Sequence, residues 1–252
     1  MRRKLVIGNW KMHGSNQLVQ ELLDHLKKGL DETDSAEIVV CPTALHLSLA
    51  SDALLGSQIK LGAQNANAQT GGAFTGEVAA AMLVEYGISH CLVGHSERRE
   101  LYFETDFDVA EKFAAVQAAG LTPVLCFGES LAQREQEATE AVILAQVDAV
   151  LAQVGVGAFV GAVLAYEPIW AIGTGMTATP RQAQAVHALV RRHIAALDGT
   201  VAKNLRIIYG GSVKSNNAAE LFDQADIDGG LVGGASLSAE EFIAICKSAD
   251  YK

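Results

Sequence analysis

The residues from Ala162 to Gly175 read AVLAYEPIWAIGTG and set a carboxylate, Glu167, at the end of a wholly apolar run. A run without polar alternation is the pattern of a strand buried on both faces of a parallel sheet. Pro168 has no N–H and disfavours the helical region for the residue before it, so the strand must stop at Glu167. A carboxylate at that carboxyl edge, where α/β folds bind their ligands, is placed to accept a proton. Strand-end carboxylates are more commonly solvated. Here Ile169, Trp170 and Ile172 give the next loop three large apolar side chains that a plain connection does not need. Gly173 and Gly175 suit a segment that moves over a ligand.

Other chain positions repeat this placement. Asn9 and Lys11 close the apolar run that begins at Leu5, and His95, Ser96 and Glu97 follow the run Cys91 to Gly94. Two further runs end in YGGS, Tyr209 to Ser212, and LVGGAS, Leu231 to Ser236, whose paired glycines let backbone N–H groups approach an anion. A lone lysine is usually solvated and a lone Gly-Gly is usually a turn. Together a carboxylate, an imidazole, an ammonium and two anion cradles imply a small phosphorylated substrate that reacts by proton transfer.

Those residues need a scaffold that brings strand ends to one mouth. Strand-like runs fall at Leu5 to Trp10, Glu37 to Cys41, Ile59 to Ala63, Cys91 to Gly94, Thr122 to Phe127, Val160 to Tyr166, Arg206 to Tyr209 and Gly230 to Val232. Between them lie apolar stripes at helical spacing, such as Leu18, Leu22, Leu23, Leu26 and Ala183, Val186, Leu189, Val190, Ile194, Leu197. Thr179-Pro180-Arg181-Gln182 and Ser238-Ala239-Glu240-Glu241 have the form of capping boxes, and Gly87 and Gly120 stand where helices end. No compositional break marks a linker. The repeat of about 31 residues is that of a βα unit, so the expectation is one α/β domain over residues 1–252, a closed (β/α)8 barrel. A doubly wound open sheet is the alternative. In a barrel the glycine-rich ends of the last two strands are a common phosphate site.

Composition excludes several classes. With 19 Lys and Arg against 29 Asp and Glu, the formal charge of −10 repels nucleic acid and anionic membrane. Met1-Arg2-Arg3-Lys4 resembles a signal-peptide start, but the apolar run after it ends at Gly8-Asn9, and no stretch is long enough to span a membrane. Cys41, Cys91, Cys126 and Cys246 lack C-x-x-C spacing and read as reduced packing residues of a cytoplasmic protein. His90 and His95 would fall on opposite faces of a strand, and His187 and His193 miss the i, i+4 spacing of helical metal ligands. A G-x-G-x-x-A run at Gly173 to Ala178 raises a nicotinamide dehydrogenase, but its first glycine lies six residues past the strand end and the helix starts after the motif. A non-catalytic phosphosugar-binding barrel is a further alternative, disfavoured by Asn9, Lys11, His95 and Glu167 occurring together.

NWKMH (Asn9 to His13), AQN (Ala63 to Asn65), VGHSERR (Val93 to Arg99), AYEPIWAIGTG, YGGSV and LVGGASL, in this order along the whole chain, resemble the triosephosphate isomerases. The resemblance implies a TIM barrel that interconverts D-glyceraldehyde 3-phosphate and dihydroxyacetone phosphate through an enediolate, in glycolysis and gluconeogenesis, without metal or cofactor. It implies Glu167 as base, His95 as electrophile and Lys11 as electrostatic partner beside Asn9. Phosphate contacts would come from Gly173, Ser212, Gly233 and Gly234. The loop Asn65 to Gly76, with Thr75, resembles a segment that docks into a second subunit, implying a homodimer. Ile169 to Thr174 resembles a lid, in which Trp170 and Ile172 would seal the site.

Overall fold

The computed structural model describes residues 2–31, 36–173 and 176–249. Strands β1 (Leu5–Asn9), β2 (Glu37–Cys41), β3 (Lys60–Ala63), β4 (Ile88–Val93), β5 (Thr122–Phe127), β6 (Val163–Tyr166), β7 (Arg206–Tyr209) and β8 (Gly229–Val232) form a closed barrel in chain order. Neighbours pair in parallel and β8 returns to β1, with Ile7 opposite Leu231. The closed barrel is therefore the fold, and the open sheet is set aside.

Strand alternation builds two cores. Leu5, Ile7, Val39, Cys41, Leu92, Val124, Cys126, Val163, Ala165, Ile208 and Leu231 fill the barrel. Their neighbours, such as Val6, Val40, Val93, Leu125, Leu164, Ile207 and Val232, face outward into the layer shared with the helices. Both faces being dry, the strands read as unbroken apolar runs. All four cysteines are buried and free, packing as expected.

The helices present one stripe each to that outer layer. Asn16–Leu30 is started by Ser15, whose side chain accepts from the Leu18 N–H, and it buries Val19, Leu22, Leu23, Leu26 and Leu30. Truncating a fully buried Leu23 to alanine would cost about 2–5 kcal/mol through the cavity left behind. Pro180–Leu197 carries the complete capping box of Thr179 and Gln182 with proline in the first turn. It buries His187 between Val186 and Val190, while Leu197 is exposed.

Several boundaries and caps differ from those expected, the start of β3 (Lys60, not Ile59) and of β8 (Gly229, not Gly230) by one residue each. β1 ends at Asn9, so Trp10 packs in the outer core beyond the strand. β4 begins at Ile88 because Ser89 and His90, polar residues, take strand positions. β6 begins only at Val163: Val156–Gly161 is a 3-10 turn entered through Gly155 at φ 75°, and it leaves Val160 73% exposed. Ser238 does cap Ala239–Ser248, but the box is not closed. The Glu241 carboxylate instead accepts from the N–H and hydroxyl of Ser215.

Candidate active site

At the carboxyl ends of the strands a cleft of about 310 Å³ is lined by Asn9, Lys11, His95, Glu167, Gly173, Ser212, Gly233 and Gly234. These are the residues proposed from sequence, drawn from separate strand ends. Ile172, Lys214 and Leu231 complete the wall.

Glu167 follows β6 and is buried. Its Oε2 accepts the Ser96 N–H at 2.9 Å and its Oε1 lies 3.0 Å from His95 Nε2. Burial pushes its carboxyl above the usual range, against the opposing pull of His95, the Ser96 N–H, Lys11 and Arg99. Two glycines make room for it. A Cβ at Gly210 would stand 2.9 Å from Glu167 Cγ, and one at Gly128 would stand 1.7 Å from the Glu167 carbonyl oxygen.

His95 stands where β4 turns into Ser96–Leu101, and its Nδ1 accepts the N–H of Glu97 at 3.2 Å. A ring that accepts at Nδ1 carries its hydrogen on Nε2, so His95 is a neutral donor aimed at the cleft. Lys11 sits in the left-handed region at φ 50°, where few residues with a side chain go. Asn9 Oδ1 accepts the Lys11 N–H at 3.0 Å, and the Gln64 amide donates to the carbonyls of Lys11 and Cys41, both at 2.8 Å. The Lys11 ammonium meets Glu97 Oε1 at 2.5 Å.

The opposite wall is backbone. Gly233 precedes the 3-10 turn Gly234–Leu237 and has no side chain to cap it, and both glycines line the cleft. The Ser236 N–H and hydroxyl instead hold the Gly233 carbonyl, fixing the turn.

A strand-ending carboxylate, an imidazole donor, an ammonium and a glycine-rich wall on one small cleft suit proton transfer on a phosphorylated sugar. A model of the triosephosphate isomerase family matches residues 4–249. The chain is 57% identical over 250 residues to the triosephosphate isomerase of Dechloromonas aromatica, covering 99% of this chain and 100% of that one. It is 57% identical over 249 residues to that of Thiobacillus denitrificans, covering 99% of each. The chain belongs to the triosephosphate isomerase family. It is an isomerase that interconverts D-glyceraldehyde 3-phosphate and dihydroxyacetone phosphate, a step of glycolysis.

The structure also separates residues that the sequence joined. Ile172 lines the isomerase's cleft, whereas Trp170 does not. Trp170 is buried with Ala171 in the turn Ile169–Ala171, donates from Nε1 to Glu129 Oε1 at 3.0 Å, and lies under the Arg134 guanidinium at 4.6 Å. In this arrangement its indole ties the segment to Glu129 and Arg134. Thr174 and Gly175, the far end of the proposed lid and the second motif glycine, lie outside the described residues. Pro180 opens the following helix, so the remaining G-x-G-x-x-A positions precede it and do not enter it.

Glu129 is a buried carboxylate that no sequence motif singled out. Its Oε1 accepts from Tyr166 Oη, Trp170 Nε1 and Arg134 Nη1. The signal was present: Gly128-Glu129 follows β5 just as Glu167 follows β6. No helix among the described residues is long and apolar enough to cross a membrane.

Proposed function

We propose that Glu167 is the base of this isomerisation, that His95 and Lys11 stabilise the intermediate, and that Asn9 holds Lys11 in place. Glu167 takes the proton from one carbon of the triose and returns it to the neighbouring carbon. The electron pair left behind moves onto the carbonyl oxygen, the enediolate oxygens are held by His95 Nε2–H and the Lys11 ammonium, and the hydroxyl proton passes by way of His95 to the former carbonyl oxygen as the second carbon is protonated. A positioned base is worth roughly 10²–10⁴-fold, and one preorganised donor to a developing oxyanion about 3–4 kcal/mol. The pairing of a glutamate base with a neutral histidine is the one known for this family. The carrying observation is that Glu167 and His95 already touch at 3.0 Å in a buried cleft. To react, the carboxylate must leave the Ser96 N–H for the substrate carbon.

The phosphate is assigned to Gly173, Ser212, Gly233 and Gly234. We further propose a single domain spanning residues 1–252, a cytoplasmic location and a homodimer in which Thr75 contacts the partner. Supporting the dimer, the segment 70–77 is exposed and Met12 and Leu45 are each 91% exposed. A second cleft of about 450 Å³, lined among others by Met12, Gln64, Glu97 and Tyr102, runs up to Lys11 and His95. That groove fits a neighbour's loop.

The test is direct. Purified protein is mixed with glyceraldehyde 3-phosphate, with no metal or nucleotide, and dihydroxyacetone phosphate is followed for wild type and Glu167→Ala. Rapid conversion by the first and near-total loss in the second support the assignment; a variant that remains fast places the base elsewhere, with Glu97 next in line.

A further inference from the structure

The barrel is apolar along most of its length, but its floor is charged. Val39 faces inward on β2, so Glu37, two residues earlier, faces inward as well. The same step carries His90 of β4 below Leu92 and Arg206 of β7 below Ile208. On β3 a Cβ at Gly62 would meet the interior side chains of Cys41 and Val39, which puts Lys60 on the same inner face.

These groups converge on Glu37. Its Oε2 accepts from Arg206 Nη1 at 2.5 Å and its Oε1 from Lys60 Nζ at 2.8 Å. β2 and β7 are not neighbours, since β1 and β8 lie between them, so the Arg206 pair ties the barrel across its floor. His90 Nε2 is buried 3.7 Å from that same Oε1 and has no hydrogen-bond partner.

Its protonation can be read from its other nitrogen. Ser89 Oγ has one hydrogen and gives it to the Leu61 carbonyl at 2.9 Å, so at 2.8 Å it must accept from His90 Nδ1–H. Neutral His90 therefore turns a bare Nε2 lone pair toward a carboxylate. A proton there would convert that contact into an ion pair on an oxygen that Lys60 now occupies. Lys60 is half exposed and has water to turn to.

We propose that His90 and Lys60 compete for Glu37 Oε1, which makes the barrel floor an acid-sensitive latch: a proton on His90 Nε2 claims that oxygen and releases the Lys60 ammonium to solvent. The charged groups facing His90 are Glu37 from β2, Lys60 from β3 and Arg206 from β7, with Ser89 on its own strand. Burial, helped by Arg206 and Lys60 and opposed by Glu37, lowers the imidazole to about 4. Despite its own burial, Glu37 is held at about 2 by Lys60 and Arg206, so it stays ionised while His90 titrates.

The folded-state pKa lies below the ordinary histidine value of about 6.5, so the unfolded chain takes the proton first. The contribution of His90 to stability is complete above about pH 6.5, declines between there and about pH 4, and levels off below. A shift of that size changes the folding equilibrium on the order of 10²-fold.

The experiment measures urea midpoints from pH 7.5 to 4.5 at fixed protein concentration for wild type and His90→Leu. His187 is also lowered to about 4 but is present in both proteins, so the difference between them isolates His90. The variant should keep wild-type activity at pH 7.5 and lose less stability on acidification. Parallel curves would overturn the proposal. Should His90→Leu fail to fold, the imidazole of the wild type is titrated by NMR and compared with Lys60→Gln. His90 should titrate well below 6.5 and move upward when the competing ammonium is gone. A His90 pKa near 6.5, or one indifferent to Lys60, would defeat the latch.

Discussion

His95 Nε2 stands 3.0 Å from Glu167 Oε1, and the hydrogen between them belongs to the imidazole, because His95 Nδ1 already accepts the Glu97 N–H. The two groups to which we assign opposite tasks, removing a proton and donating a hydrogen bond, are thus held to each other. Shortening the acid tests how closely this geometry is tuned. Glu167→Asp withdraws the carboxylate by about 1 Å, and a displacement of that size costs on the order of 10²-fold. The loss should appear in kcat with KM little changed. Near-normal turnover would show that Glu167 is not the base.

The acid limb of activity should lie above the ordinary glutamate range. Glu167 accepts a proton only when ionised, and burial raises its pKa above 4.5, so kcat/KM should fall as pH drops through a value higher than 4.5. A pH–rate profile on the free enzyme reads this limb. A fall confined to pH 4.5 or below would contradict a dry site.

The phosphate site makes a separate prediction. Gly233→Pro removes a backbone donor and leaves Glu167 untouched, so substrate binding should weaken by about tenfold or more, the loss of one hydrogen bond to a charged group being about 1.5–3 kcal/mol. Inorganic phosphate should compete with substrate in wild type and poorly in the variant. Equal inhibition of both would move the anion elsewhere.

Much of this arrangement was legible because barrel strands buried on both faces leave unbroken apolar runs, and the chemistry sits where each run stops. β2, β5 and β7 are found at the bounds their composition implies. Legibility failed where the rule is broken from within. Ser89 and His90 lie in β4 ahead of its apolar run, because inward charge at the floor is met across the barrel by residues distant in sequence. Val160 looks like strand but is turn, because the glycines beside it favour a 3-10 path. The Trp170 anchor was not legible, because Glu129 lies on another loop.

Assembly is tested by deleting residues from the segment 68–75. The Phe74 N–H bonds the Gly72 carbonyl, the Glu77 N–H bonds the Phe74 carbonyl, and residues 69–77 are exposed, so a shortened loop is expected to leave the barrel folded. Sedimentation should show a folded monomer, and activity should fall steeply because no neighbour braces Lys11 and His95. A fully active wild-type monomer at assay concentration would refute the dimer's role.

The last prediction concerns Ile172, the apolar side chain of the proposed lid that reaches the cleft. An enediolate with phosphate on the adjacent carbon can expel that phosphate instead of taking a proton, and the competition is decided by how well the phosphate is held and water excluded. Trp170 fixes the base of the segment through Glu129 and Arg134, so trimming Ile172 alters the cleft wall without releasing the anchor. Ile172→Ala removes about three methylene equivalents of cover, each worth about 0.8 kcal/mol when buried. The variant should fold normally, isomerise more slowly and release a larger share of its product as methylglyoxal and inorganic phosphate. Both products are measured in one reaction. A slow variant that forms only isomerised triose phosphate would show that Ile172 aids the proton transfer without protecting the intermediate.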